Sequence, residues 1–223
     1  APPFILPHAF HPHVLREVYE AKPFRMILAD TAVEPPEGTA VINIEACRPD
    51  DHPLKLIRPP DKPFVSLFTG GSTGKPRVWS KTPANLFGEA IHLARTFGIG
   101  RRDLLLSTVP TQHIYGLLCS VLLPFVASAR VVSCTCTYPR EICRVLQNEG
   151  ATVLISVPIH YRTLKVGNLR RFSLRLALSS AAPLAAEDAA FFLEKTGLAI
   201  TEIYGSTETG GMAPRSYGAD HGS

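Results

Sequence analysis

From residue 63 onward, short apolar runs alternate with segments of helical period, and that alternation narrows the fold more than any other feature of the chain. A βα-layered domain with a mainly parallel sheet carries this pattern. Strands are predicted at 64–68, 104–109, 130–133, 153–157, 174–178 and 199–203. Helices fit between most of them. Thr82 stands where it can cap the first, Pro83 suits its N1 position, and Leu86, Phe87, Ala90, Ile91, Ala94 and Phe97 then share one face. Residues 139–150 and 185–196 read as two more, stopped by Gly150 and Gly197. The expected fold is α/β, with layered sheets and flanking helices, over residues 63–223.

Residues 1–62 differ. They are rich in proline and read as an irregular lead-in, with extended pieces at 26–29 and 40–44 and a helix over 14–21. A chain of 223 residues can bury roughly 70% of its unfolded surface, enough for a core without staples. The net charge of +4 demands no nucleic-acid partner, and the small clusters at Arg101-Arg102 and at Arg170-Arg171 with Arg175 suit solvated faces. Residues 114–132 carry Arg130 as their only charge, but Gly116, Ser120, Pro124 and Ser128 interrupt them, so a buried helix and a strand are expected there and no membrane span.

Five cysteines form no even framework, which points to a reducing compartment, with the cytoplasm as the expected location. Cys134, Cys136 and Cys143 lie close in sequence, yet their spacing does not suit zinc, and free, partly buried thiols are expected. The chain starts at Ala1, and its first residues lack the basic flank and long apolar run of a signal peptide, so a fragment or a processed form is expected.

The run Phe68-Thr-Gly-Gly-Ser-Thr-Gly-Lys-Pro-Arg77 follows an apolar strand directly. Gly70, Gly71 and Gly74 let backbone N–H groups turn inward and approach phosphate oxygens closely. Ser72 and Thr73 add hydroxyl donors, Lys75 supplies a mobile cation for the outer phosphates, and Thr69 opens the run. It is not a Walker A loop. That motif sets four residues between its first glycine and the Gly-Lys pair and a serine or threonine after the lysine, whereas three residues separate Gly70 from Gly74 here and Pro76 follows Lys75. A glycine-rich hairpin is the plain alternative.

A second segment, Tyr204-Gly-Ser-Thr-Glu208, also follows an apolar strand and offers an aromatic face, a hydroxyl and a carboxylate close together. Tyr204 can stack on a purine, Thr207 can donate to a phosphate, and Glu208 is a hard oxygen ligand suited to magnesium. The alternative is an ordinary loop with an exposed glutamate. His113 stands in Val109-Pro-Thr-Gln-His-Ile-Tyr-Gly116, just past a predicted strand, and a structural role competes there with a functional one.

The 68–77 run resembles the phosphate-loop signature of the adenylate-forming superfamily, which includes acyl-CoA synthetases, aryl-acid ligases and peptide-synthetase adenylation domains. Three further segments agree in the family's order. The one holding His113 resembles the segment that lines the acid pocket. Ser179-Ser180-Ala181-Ala182-Pro183 resembles the small-residue segment against which adenine lies, and the 204–208 segment resembles the one that contacts adenine, phosphate and magnesium. Ser80-Lys81-Thr82 and the stretch from Gln112 to Leu117 are more narrowly similar to the ligases of aryl-polyene pigment clusters.

The resemblance implies ATP and Mg2+, with Lys75, Thr207 and Glu208 as catalytic candidates and Glu208 as the metal ligand. It implies activation of a small-molecule carboxylic acid, aryl or fatty acyl, to an acyl-adenylate. Transfer would follow to the thiol of CoA or of the phosphopantetheine arm of an acyl carrier protein. Two departures bear on this. Ser180 and Ala181 stand where the family usually has glycines, and only fifteen residues follow Glu208. The family's ribose-binding aspartate, hinge and mobile C-terminal domain with its catalytic lysine are thus expected to be absent, leaving residues 63–223 as the AMP-binding layer. A truncated, non-catalytic nucleotide-binding fragment is the alternative, and a homodimer through the face such truncation would bare is a further expectation. A P-loop phosphotransferase is disfavoured by the failed spacing at Gly70 and by Pro76.

Overall fold

The computed structural model describes residues 4–7, 11–43, 61–69, 77–166, 172–207 and 210–216. The chain falls into two units, Ala1–Pro83 and Ala84–Ser223.

In the first unit, strand β1 (Phe4–Leu6) leads to helix α1 (Pro12–Ala21), which begins with proline at its N1 position, where the missing N–H costs nothing. Strands β2 (Met26–Ala29) and β3 (Ala40–Asn43) pair parallel with each other. Strand β4 (Val65–Thr69) lies between β1, parallel to it, and β5 (Arg77–Lys81), antiparallel to it. Val14 and Val18 of α1 are buried with Phe68 of β4, and Ile5 and Phe24 pack against them. Lys22 Nζ donates to the buried Ser66 hydroxyl at 2.6 Å, so α1 is tied to β4 by a polar bond beside the apolar one. The lead-in is therefore more ordered than its proline content suggests, and β5, absent from the predicted strands, completes a hairpin with β4.

The second unit is a six-stranded sheet. Helix α2 (Pro83–Thr96) precedes β6 (Leu104–Ser107). Then α3 (Ile114–Gly116) runs through a π-helical turn (Leu117–Leu122) into α4 (Leu123–Ala127) and β7 (Arg130–Thr135). Helix α5 (Pro139–Glu149), β8 (Val153–Ser156), α6 (Pro158–Thr163), β9 (Leu176–Ser179), α7 (Ala186–Thr196), β10 (Ile200–Ser206) and β11 (Gly210–Ser216) follow. The strand order is β11-β10-β9-β8-β6-β7, parallel throughout except that β11 runs antiparallel to β10. Gly150 and Gly197 end α5 and α7 in the left-handed conformation, at φ 67° and 72°, as glycine at these stops implies.

Every residue of β6 and β8 is buried, as strands covered on both faces require. Leu104, Leu106, Leu154 and Ala177 pack with Ile142 and Leu146 of α5, Tyr161 of α6 and Phe192 of α7. Because strand side chains alternate, Leu105 and Ser107 face the other way. On that face Ser120 of the π-helical turn donates to Ser107 Oγ at 2.7 Å. The connection from β6 to β7 thus covers one face, and those from β7 onward cover the other.

At the amino ends of the strands the polar groups are closed off by charge. Arg175 holds Asp103 in a two-pronged pair, Nε to Oδ1 at 2.8 Å and Nη2 to Oδ2 at 2.7 Å. Thr152 Oγ1 and the Gly100 N–H donate to the same carboxylate, and Arg175 also reaches the carbonyls of Phe97 and Gly98. The Arg175 hydrogen bond outweighs burial and holds Asp103 down at about 2.

Candidate functional site

In open parallel sheets, ligands bind beyond the carboxyl ends of the strands, where neighbouring connections leave in opposite directions. Here that point lies between β6 and β8, whose connections depart to opposite faces. Thr108 follows β6, and its backbone N–H donates to Ile155 O of β8 at 2.9 Å. Its hydroxyl lies 2.8 Å from Ser156 Oγ and 2.7 Å from His160 Nδ1 on α6. Thr108 and Ser156 are buried and His160 half-buried; burial lowers the His160 pKa and favours its neutral ring. One strand over, Ser179 pairs in register with Ser156, and its buried hydroxyl has no hydrogen-bond partner among the described residues. The Tyr115 hydroxyl is buried too, with the Ser156 backbone N–H as its partner. Burial pushes that phenol far above its ordinary value, so it stays protonated.

The segments singled out in the sequence surround this end of the sheet or belong to the first unit. His113 is exposed and opens α3, its carbonyl accepting the Leu117 N–H at 2.8 Å. Gly116 is required there, since a Cβ would stand 2.1 Å from Pro110 O. The segment after β9 is pinned to β10 at both ends: Ser180 Oγ donates to Ile203 O, and the Leu184 N–H donates to Glu202 Oε1, each at 2.6 Å. The Ser180 hydroxyl is thereby committed inward, while Ala181 and Ala182 between these anchors are exposed. Ala181 adopts φ 77°, where glycine is at ease and alanine is strained.

Tyr204 is 69% exposed on β10. Ser206 pairs with Gly210, so Thr207 begins a three-residue connection between β10 and β11. Glu208 lies outside the described residues, as do Gly70, Gly71, Ser72, Thr73, Gly74 and Lys75. Thr69 ends β4 and pairs with Arg77 of β5, so the glycine-rich run joins two hydrogen-bonded antiparallel strands. Sequence reasoning missed Thr108, Ser156 and His160, which converge only because β8 lies beside β6 and not beside β7.

The family model described as AMP-binding enzyme matches residues 10–222. The chain belongs to the AMP-binding enzyme family. It is 32% identical to the 4-coumarate–CoA ligase of Rhodobacter capsulatus over 66% of this chain and 38% of that protein. It is 29% identical to the sulfoacetate–CoA ligase of Cupriavidus necator over 69% of this chain and 31% of that protein. ATP-bound MatB from Rhodopseudomonas palustris superposes with a TM-score of 0.66 at 29% identity, covering 73% of this chain and 33% of that one. This AMP-binding chain spans about a third of the length of these relatives. Its α/β fold of a mainly parallel sheet with flanking helices is that of the large N-terminal domain of adenylate-forming enzymes, as the resemblance implied.

Among the described residues, no group of histidine, cysteine, aspartate and glutamate side chains is arranged to hold a metal ion, and no helix is long and apolar enough to cross a membrane. Cys119, Cys134, Cys136 and Cys143 are free thiols, with Cys134 Sγ 3.0 Å from Cys136 Sγ.

Proposed function

We propose that this chain is the nucleotide- and acid-binding part of an acid–thiol ligase. In that reading, magnesium-bound ATP and a carboxylic acid react to give an acyl-adenylate and pyrophosphate, and a thiol then displaces AMP. The match to AMP-binding enzymes over residues 10–222 carries the reading. The exposed ring of Tyr204 and the small exposed Ala181 and Ala182 suit a purine, which needs a stacking face and room to approach. Residues 70–75 and Thr207 would bind and orient the phosphates, and Lys75 would neutralise charge as pyrophosphate departs. Glu208 would hold Mg2+, which supplies charge neutralisation at the phosphates. An exposed stacking face beside a hairpin connection fits such a ligand set.

The acid proposed is an aryl or related acyl acid, and the acceptor is CoA or a carrier protein's phosphopantetheine arm. The similarity to a 4-coumarate–CoA ligase supports the aryl choice; the similarity to a sulfoacetate–CoA ligase supports only acid activation in general. The free thiols suit a reducing compartment, the cytoplasm, and a homodimer is the proposed assembly. Titration calorimetry with Mg-ATP tests the reading: measurable binding that Glu208→Gln weakens supports it, and equal affinity in the two removes Glu208 from the metal role. Acid-dependent exchange of labelled pyrophosphate into ATP tests turnover, and light scattering tests the dimer.

A further inference from the structure

The polar groups between β6 and β8 admit one consistent arrangement of protons. Ser156, Thr108 and His160 form a chain of hydrogen bonds, and Ser156 Oγ has no other hydrogen-bond partner among the described residues. If Ser156 donates to Thr108 and Thr108 donates to His160 Nδ1, every proton in the chain has an acceptor and the imidazole carries its own on Nε2. The reverse order puts a proton on Nδ1 and leaves the Ser156 hydroxyl, which is wholly buried, with nothing to donate to. An unmet buried donor costs about 1–3 kcal/mol, so the first order prevails. A charged ring forces the second order, and the chain therefore opposes protonation of His160.

The Nε2–H has no partner among the described residues, although His160 is only half exposed. At the same end of the sheet, the buried hydroxyl of Ser179 is also without a partner among the described residues. Unmatched polar groups gathered at the switch point of a parallel sheet are what a polar ligand group or an ordered water would satisfy.

We propose that His160, its Nδ1 fixed by Thr108 and Ser156, presents Nε2–H at the β6–β8 crevice as the donor that recognises an oxygen acceptor in the acyl part of the acid. It is a specificity-determining residue resting on the proposed function, distinct from His113 on the far side of the Val109–Pro110 turn in sequence. The acids it favours carry an oxygen beyond the carboxylate being activated; acids without one leave Nε2–H unmatched. A single hydrogen bond of this kind changes affinity by about fivefold to tenfold.

Long-range proton–nitrogen spectra of the chain labelled in its histidines read the tautomer directly. Proton on Nε2 and a bare, hydrogen-bonded Nδ1 at neutral pH are expected, with the pattern lost in Thr108→Val. A proton on Nδ1, or a charged ring at pH 7, overturns the proposal. Calorimetric titration with 4-hydroxycinnamate and cinnamate, with and without Mg-ATP, then tests recognition. The hydroxylated acid is expected to bind about fivefold more tightly, His160→Phe to bring the pair within about twofold, and His160→Gln, which keeps an N–H donor, to retain part of the preference. A preference that survives His160→Phe overturns the proposal, as does failure of the chain to bind either acid. Failure to bind Mg-ATP counts instead against the nucleotide reading, since the tautomer and the acid preference are read without it.

Discussion

The two ends of the six-stranded sheet are built from similar material and finished in opposite ways. At the amino ends, Asp103, Arg175, Thr152 and the Gly100 N–H form a closed set in which the carboxylate is met by a guanidinium, a hydroxyl and a backbone amide. At the carboxyl ends, Thr108, Ser156 and His160 form a chain that in the proposed tautomer ends on an unmatched N–H, and the buried Ser179 hydroxyl has no partner among the described residues. The closed end contributes stability; the open end gives some up and keeps groups available to a ligand.

The comparison breaks most readily at Arg175. Arg175→Ala is expected to cost about 2–3 kcal/mol in urea unfolding, less than a wholly buried pair because the guanidinium is 42% exposed. A cost below about 1 kcal/mol would mean that the amino end is not the anchor. Gly116→Ala comes next, since its Cβ would meet the Pro110 carbonyl; a loss of about 2 kcal/mol is expected, read from the denaturant midpoint.

Acid should act on the closed end but not only there, since burial raises the Asp188 carboxyl while its bonds to Lys165 and Arg162 outweigh that and lower it. Asp103 titrates at about 2 when folded against an ordinary 3.8, so its contribution is complete above pH 3.8 and disappears as the pH falls toward 2. About 1–2 kcal/mol should be lost over that window, and Asp103→Asn should flatten the profile there. At the open end the sign reverses. Ser179→Ala removes an unmatched buried hydroxyl and should leave stability unchanged or raise it by up to about 1 kcal/mol; a loss larger than that in thermal unfolding would reveal a partner for the hydroxyl. The smallest effect is expected at Ala181, where φ is 77°: Ala181→Gly should stabilise by about 0.5 kcal/mol, strain relief being offset in part by unfolded-chain entropy.

The sheet was legible because its buried strands are nearly continuous apolar runs. Val153–Ser156 and Leu104–Ser107 both lie inside their predicted segments. β5 was hidden because Arg77, Ser80 and Lys81 dilute its apolar content, and β11 because Gly-Gly-Met-Ala-Pro-Arg-Ser carries no strand signal. Pro214 is tolerated there since β11 is an edge strand. The family was legible from residue types in four segments, and the family match agrees with that resemblance. The polar chain at the open end was not, because no local pattern in a sequence announces that a threonine after one strand will meet a serine and a histidine some fifty residues on.

The π-helical turn from Leu117 to Leu122 has its own consequence. A π turn holds one residue more than the α turn it replaces, and one residue in a helix amounts to about 100° of rotation. Removing a single residue from this turn would therefore re-aim His113, Tyr115 and Gly116 together relative to α4, even with all three side chains intact. In this stretch the length of the chain itself sets where these side chains point, and the gain or loss of one residue there matters more than the exchange of one apolar residue for another.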